Sequence, residues 1–522
     1  MAATLLEAPP HYGTTGARAG RAGRWDALVL GAAAFALSVA LSWVPSVWYD
    51  EAATIVSATR TWPELVRMLG TVDAVHGLYY AGLHVWFELV GYSPFTLRLP
   101  SAVAVGVATA GLVALLRILV PRRVGIAAGI MFAVLPRVVW AGGEGRSYAL
   151  TAALAVALLA LFTHAARTAT ATPRVRIAWW AAYGLAAAIG CAIFLYLALA
   201  VLASGVTLLL MALRGAPRIR RTALGWAISS AAAALVLSPL AALIVAQSKQ
   251  ISWILPLGPA SIRMVLMQQL FGNNVWLAVV VLGAVAAALG LASSAALHRP
   301  RPESVGGGEG PTPVELFAPA LLVPLAALLV GSAVLEPLYS PRYLTFTAAP
   351  AAVLAAIAFS ALPGRASLPV AVACVIGLAF PTLLELREPD AKQNSSWSSV
   401  AALVARERAA ERGGTVDAIV YGPVLRHPSA TTRVIAYAYP QAFEGMIDVT
   451  LETPARESGG LWETREPLEE SLHRLSAADS VWLVTSDRPE GRPEVAARVL
   501  PLGFHPADEW HLPGVDVVRY TR

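Results

Sequence analysis

Charge is scarce in this sequence. Only 14% of its 522 residues are Asp, Glu, Lys or Arg, against 57% hydrophobic, whereas soluble domains carry about a quarter charged residues. An ordinary soluble enzyme is therefore excluded. Lysine is scarcer still: it occurs only at Lys249 and Lys392, so arginine carries nearly all the positive charge, a bias that fits high-GC codon usage rather than a chemical need. The two cysteines, Cys191 and Cys374, both sit in apolar runs and read as small buried hydrophobes, not as a disulfide or a metal pair. No Gly-rich phosphate loop, dinucleotide fingerprint or metal-ligand spacing is visible, which removes nucleotide-dependent chemistry and a nucleic-acid partner from the expected functions. No internal repeat is visible either. The first apolar run continues straight into WYDEA without a small-residue cleavage site, so a secretory signal peptide is not expected.

What the sequence has instead is long apolar runs, at 26–45, 101–120, 148–166, 191–213, 222–246, 276–297, 316–335, 343–361 and 367–384. Each reaches or approaches the ~20 residues of a spanning helix. Arginines cluster at 18, 21 and 24, at 117, 122 and 123, at 167, 174 and 176, at 214, 218, 220 and 221, and at 299, 301 and 365. Keeping every cluster on the cytoplasmic side requires two shorter spans, 124–140 and 177–190, for about eleven in all. The expected organisation is a cytoplasmic tail over 1–25, a transmembrane domain over 26–385 whose first external loop is 46–97, and an outer segment over 386–522. Residues 302–312 read as a flexible linker. The last segment holds 15 Lys/Arg and 20 Asp/Glu, a balance of −5 within a total of +6, leaving +11 for residues 1–385. Its stretches 416–421, 480–487 and 515–520 are β-like and 397–412 and 490–500 helix-like, the pattern of a small α/β domain. The fold class expected is thus an all-α polytopic membrane protein with a small C-terminal extracytoplasmic α/β domain.

Polar residues concentrate where the bilayer meets the outside. SVWYDEAATI places Asp50 and Glu51 at the membrane surface, where adjacent carboxylates are costly unless used. One can serve as general base towards a sugar hydroxyl while its neighbour orients a cation, a metal or the acceptor; the bland alternative is an acidic loop end. Two interfacial helices follow, 62–69 and 76–91, with His76 at the start of the second. His76 suits a phosphate or carboxylate partner as well as a structural one, and His84 reads as structural. Arg98 reads as an interface marker with a snorkelling side chain. WAGGEGRSYAL puts Glu144, Arg146 and Tyr148 in a short external turn, where an arginine fork beside a tyrosine suits a lipid-linked phosphate; an Arg146–Glu144 pair capping the turn is the structural alternative. AQSKQISWILP offers Gln247, Gln250 and Trp253, amides and an indole that suit a sugar pocket. It is followed by an amphipathic stretch, 261–271. EPLYSPRYLTF places Arg342 and Tyr343 at the same level as a second phosphate clamp.

Taken in order, the DE pair, the His-Gly before YY, RLPS, GEGRSYAL and SPRYL resemble the GT-C glycosyltransferases, specifically the glycosyltransferase 39 type related to protein O-mannosyltransferases and to the aminoarabinose transferase of lipid A. Actinobacterial members look closest, and the resemblance covers roughly residues 26–385. It implies transfer of a sugar, mannose first, from a polyprenyl-phosphate donor to a glycolipid, lipoglycan, other glycan or protein acceptor on the outer face of the cytoplasmic membrane. Carried over by position, Asp50 is the catalytic base and Glu51 its neighbour in the acceptor or cation site, with Arg146, Tyr148, Arg342 and Tyr343 toward the donor phosphate. His76, Glu144, Gln247, Gln250 and Trp253 are the expected pocket. Gly145 replaces a side chain usual before SYAL, and Gly77 stands where Pro-Pro is common. A divalent cation is left open by the resemblance, since the family includes metal-dependent and metal-independent members. The competing class is a transporter or flippase of lipid-linked glycans, which predicts charges near the bilayer midplane and duplicated halves. A third reading is a membrane subunit that has lost catalysis and binds through its tail.

Overall fold

The apolar runs fold into helices because a chain in hydrocarbon must satisfy its own backbone hydrogen bonds. A computed structural model describes residues 16–297, 310–410, 414–424, 427–487 and 492–522. Among the described residues nine helices are long and apolar enough to cross a membrane: Pro94–Leu116, Tyr148–Arg167, Pro173–Ile193, Leu195–Leu213, Ile219–Ala246, Val275–Ser294, Pro313–Val334, Pro341–Ser360 and Ser367–Glu385. The pair Arg122–Val134 and Pro136–Gly142, bent by 62°, makes a tenth if it is one span, and Trp25–Val39 is a shorter apolar helix. These account for the expected apolar segments, with nine or ten rather than eleven meeting the length of a span. Residues 1–15 of the expected tail and 302–309 of the expected linker lie outside the described residues.

The breaks have local causes. Leu135 precedes Pro136 and takes an extended conformation, φ −60° and ψ 128°, because the proline ring disfavours a helical residue before it. Phe194 is extended at φ −158° and ψ 108°, so the boundary expected between 190 and 191 falls there instead. The amphipathic stretch 261–271 is helical in three short pieces, one of them the π-turn Met264–Gln268.

Of the described residues, those from 16 to 40 and from 98 to 384 form one compact unit, and those from 41 to 97 with those from 385 to 522 form the other. In the first, Ala348–Ser360 is the most enclosed helix, with Ala348 through Ala356 all buried; its alanines let neighbouring backbones approach closely. The arginine-rich ends of this unit pair with one another: Arg122 with Asp26 at 2.5 and 2.7 Å, Arg167 with the Ile118 carbonyl at 2.9 Å, and Arg214 with Glu315 at 2.7 Å. Cys191 is buried and Cys374 exposed, neither in a disulfide.

The second unit joins the first external loop to the C-terminal segment. Sequence reasoning grouped residues 46–97 with the membrane helices; here they pack with 385–522. The five-stranded sheet runs Ile447–Asp448, Asp417–Tyr421, Ser480–Ser486, Val515–Thr521, His505–Leu512. The first two pairings are parallel and the last two antiparallel. Every residue of Asp417–Tyr421 and Ser480–Ser486 is buried, as expected of central strands covered on both faces, whereas the edge strand His505–Leu512 alternates in exposure. The expected helices are Trp397–Ala410 and Arg492–Val499. The loop helices are Trp62–Leu69, capped by the Thr61 N–H donating to Glu64 at 2.9 Å, and Gly77–Val90.

Arg60 locks the loop to this segment. It is 2% exposed and donates to the carbonyls of Ala455, Gly460 and Leu461 at 2.6, 2.8 and 3.1 Å. Burial pushes its pKa below the ordinary arginine value, and the three carbonyls all gather at one terminal nitrogen of the guanidinium. Thr71 donates to Gly459 O at 2.6 Å and Tyr92 to Ala438 O at 2.8 Å.

Candidate active site

The expected site residues fall in two groups, one in each compact unit. In the loop and C-terminal unit, Trp48 is extended at φ −132° and ψ 177°, and the helix Tyr49–Ala58 starts behind it with Asp50 and Glu51 in its first turn. Carboxylates there are favoured by the positive end of the helix. Their surroundings differ. Asp50 is half-buried, while Glu51 has no exposure and holds Lys392 Nζ at 2.8 Å. Asp50 is thus the carboxylate open to solvent, as a base that meets a substrate hydroxyl must be. Beside them Tyr49 stacks on His427, with ring centroids 3.5 Å apart, and accepts a hydrogen bond from Trp462 Nε1 at 3.1 Å.

Lys392 is the residue that sequence reasoning missed. One signal was available: it is one of two lysines in the chain, and lysine scarcity was read only as codon bias. His76 ends the 3-10 turn Ala74–His76, its ring 5.8 Å from Tyr80, whose hydroxyl donates to Asp73 at 2.9 Å. His84 is structural: Nδ1 lies 3.1 Å from Ala58 O and Nε2 3.2 Å from Glu88. Among the described residues no three His, Cys, Asp or Glu side chains gather as a metal-ligand set, and Glu51, offered from sequence to a cation, has an ammonium beside it. No step below runs through a divalent ion.

In the membrane unit, the turn 143–147 joins Pro136–Gly142 to Tyr148–Arg167. Ser101 Oγ donates to the carbonyl of Glu144 at 2.6 Å and reaches that of Arg146 at 3.3 Å, fixing the turn's backbone. Glu144 is wholly buried, Arg146 nearly so, and Arg98 has no exposure. Arg98 therefore does not snorkel; its head lies inside the protein.

A continuous aromatic and cationic run follows. Tyr148 stacks on Trp140 at 5.5 Å and meets Phe194 edge-on at 6.1 Å; Phe194 packs on Tyr343 at 5.6 Å and Tyr196 on Tyr343 at 5.3 Å. Arg342 lies over Trp253 at 4.7 Å and Tyr343 at 6.0 Å, and Arg137 over Trp140 at 4.7 Å. The structure thus brings Tyr148, Tyr343 and Arg342, expected toward the phosphate, into one run with Trp253, expected in the pocket, and adds Arg137, which looked like part of a span. Arg137 is held by the carbonyls of Gln268 and Gln269 at 2.5 and 2.9 Å. Gln269 in turn accepts from Tyr339 Oη at 3.0 Å and donates to Thr347 at 3.2 Å. Gln247 follows the helix Ile219–Ala246 and Gln250 lies on the 3-10 turn Ser248–Ile251, both half-buried on the chain leading to Trp253. Two guanidiniums backed by ring faces form an environment suited to a phosphate.

The crystal structure of ArnT from Cupriavidus metallidurans bound to undecaprenyl phosphate aligns with 94% of this chain and 97% of its own, at TM-score 0.53 and 14% identity. Its apo form aligns over the same shares at TM-score 0.56 and 12% identity. The chain has the GT-C fold. No protein-family model and no curated sequence matches it. The likeness extends from the membrane helices through the C-terminal sheet, so the GT-C resemblance, read from residues 26–385, holds for the fold over nearly the whole chain.

Proposed function

We propose that this chain is a membrane glycosyltransferase of the glycosyltransferase 39 type, related to protein O-mannosyltransferases, that takes a sugar from a polyprenyl-phosphate donor. The reading extends to mannose as the sugar and to an envelope glycolipid, lipoglycan, other glycan or protein as acceptor. It places the reaction on the outer face of the cytoplasmic membrane, with the arginine-rich helix ends inside and residues 386–522 outside. The observation that supports it most is the near full-length likeness to a protein whose crystal structure holds undecaprenyl phosphate.

The chemistry is a direct displacement. Asp50 accepts the proton of the acceptor hydroxyl as its oxygen bonds to the anomeric carbon. The bond from that carbon to the phosphate oxygen breaks, polyprenyl phosphate leaves, and the anomeric configuration inverts. Arg146 and Arg342, with Tyr148 and Tyr343, are assigned to the negative charge of the leaving phosphate. Glu51, Glu144, His76, Gln247, Gln250 and Trp253 remain assigned to substrate binding and its support.

The test is transfer of labelled mannose from polyprenyl-phosphate mannose to endogenous envelope acceptors, in membranes carrying matched amounts of wild type and Asp50→Asn. Loss of a proton acceptor is expected to lower transfer by a factor of about 100 or more. Equal transfer by both removes Asp50 from the mechanism. If the wild type transfers neither mannose nor any other polyprenyl-linked sugar, the enzyme reading fails and the transporter class takes its place.

A further inference from the structure

The chain just ahead of Asp50 is held by residues 389–398 and by Tyr439 of the C-terminal segment. The Ser46 N–H donates to the Pro389 carbonyl at 2.7 Å, and Ser46 Oγ accepts the Ser398 N–H at 3.0 Å. Ser395 Oγ donates to Val47 O at 2.6 Å, and the Val47 N–H donates to Tyr439 Oη at 2.9 Å. On the other side of Asp50, Glu51 meets Lys392 Nζ at 2.8 Å. Asp50 is thus bracketed: clamps at Ser46 and Val47, four and three residues before it, and an ion pair at the next residue. All these partners belong to the same compact unit.

The ion pair is the charged clamp, and it is buried. Glu51 has no exposure and Lys392 is 6% exposed, so neither charge is screened as a surface pair would be. A carboxylate so enclosed is costly without a cation, and removing the cation from such a pair is strongly destabilising. Because Glu51 is the residue after Asp50 in one helical turn, any displacement of its backbone moves Asp50 too.

We propose that Lys392 is a positioning residue: its ion pair with Glu51 fixes the first turn of the helix Tyr49–Ala58 and so sets the place of the Asp50 carboxylate. This rests on the reading of Asp50 as base. It gives the C-terminal segment a share in the chemistry that is separate from acceptor binding.

Purified wild type, Lys392→Met, Lys392→Arg and Glu51→Gln/Lys392→Met are compared in two ways. In the transfer assay, kcat per folded molecule is expected to fall on the order of tenfold to a hundredfold in Lys392→Met, while KM for the lipid donor stays within about twofold, because ångström misplacement of a reacting group affects the chemical step. Infrared difference spectra are expected to show a protonated-carboxyl band at neutral pH in Lys392→Met that is absent from the wild type and from the double variant. A folded Lys392→Met enzyme with wild-type kcat, a loss carried by KM, or the absence of that band each overturns the proposal. If Lys392→Met does not fold, Glu51→Gln/Lys392→Met, which leaves no buried charge unpaired, carries the kinetic measurement: a lowered kcat at unchanged KM supports the role and an unchanged kcat overturns it, while Lys392→Arg, which keeps a cation beside Glu51, is expected to retain more of the wild-type kcat than either. A wild type that turns over no donor defeats the proposed function alone, since the infrared band still decides whether Lys392 holds Glu51.

Discussion

Glu463 shows how one buried charge is kept in the C-terminal segment. Its carboxylate accepts from Arg433 at 2.6 Å, Thr431 at 2.7 Å and Tyr437 at 2.9 Å, while Arg433 also grips Asp448 at 2.5 and 2.7 Å. Burial pushes its pKa up, but the Arg433 charge and the donated hydrogen bonds outweigh burial and leave it below the ordinary glutamate value. Between the folded and unfolded values the unfolded chain binds more protons. The group's contribution is therefore complete above the unfolded pKa and is lost as pH falls through the folded pKa. Glu463→Gln removes this dependence. Amide exchange of the strand Asp417–Tyr421, corrected for intrinsic rates, is expected to be faster in Glu463→Gln than in wild type at neutral pH, with the gap closing as pH is lowered below about 4.3. A gap constant with pH would mean that Glu463 does not act through its charge.

Helix elements obey a different constraint, that of close approach. A Cβ built on Gly106 of Pro94–Leu116 would lie 2.9 Å from Gly31 O and 3.0 Å from Phe35 Cβ, and one on Gly31 would lie 2.8 Å from Gly106 O. The two backbones touch there because neither residue has a side chain. Gly106→Leu is expected to lower stability by about 1–3 kcal/mol through overpacking, read as a lower thermal midpoint in detergent; an unchanged midpoint would show that the crossing can open at no cost. The elements themselves were legible in the sequence because about 20 apolar residues between arginine clusters leave few alternatives. Pro136 gives a reason for the break at Leu135, but the one at Phe194 has no proline, and the nearest glycine, Gly190, lies four residues earlier beside the expected boundary, so that boundary was displaced. Arg137 was hidden for a related reason: a charge within an apolar run reads as a flaw in a span until its carbonyl partners and Trp140 are seen around it. Of the candidate site, the DE pair that holds Asp50 stood out from its position after the first helix, whereas Lys392 lies 341 residues from its partner, a distance over which no periodicity carries information.

At the scale of the molecule, the division of the chain into two compact units changes what the C-terminal segment is for. A separable acceptor-binding module would leave the loop 41–97 able to stand without it. The contacts argue otherwise: Arg60 spends its guanidinium on carbonyls of residues 455–461, Tyr49 packs on His427 and Trp462, and the Val47 N–H is satisfied by Tyr439. None of these can be replaced from within the loop at no cost, since main-chain and guanidinium donors left buried without acceptors forfeit their desolvation energy, about 1–3 kcal/mol each. A chain ending after Leu384 is therefore expected to insert its membrane helices but to lose the ordered loop. Limited proteolysis of membranes should cut the truncated chain within 41–97 under conditions where the same segment in the full chain resists, and sugar transfer should be abolished. If the loop resists equally in both, it folds on its own, and Asp50 owes its position to the loop and not to residues 385–522.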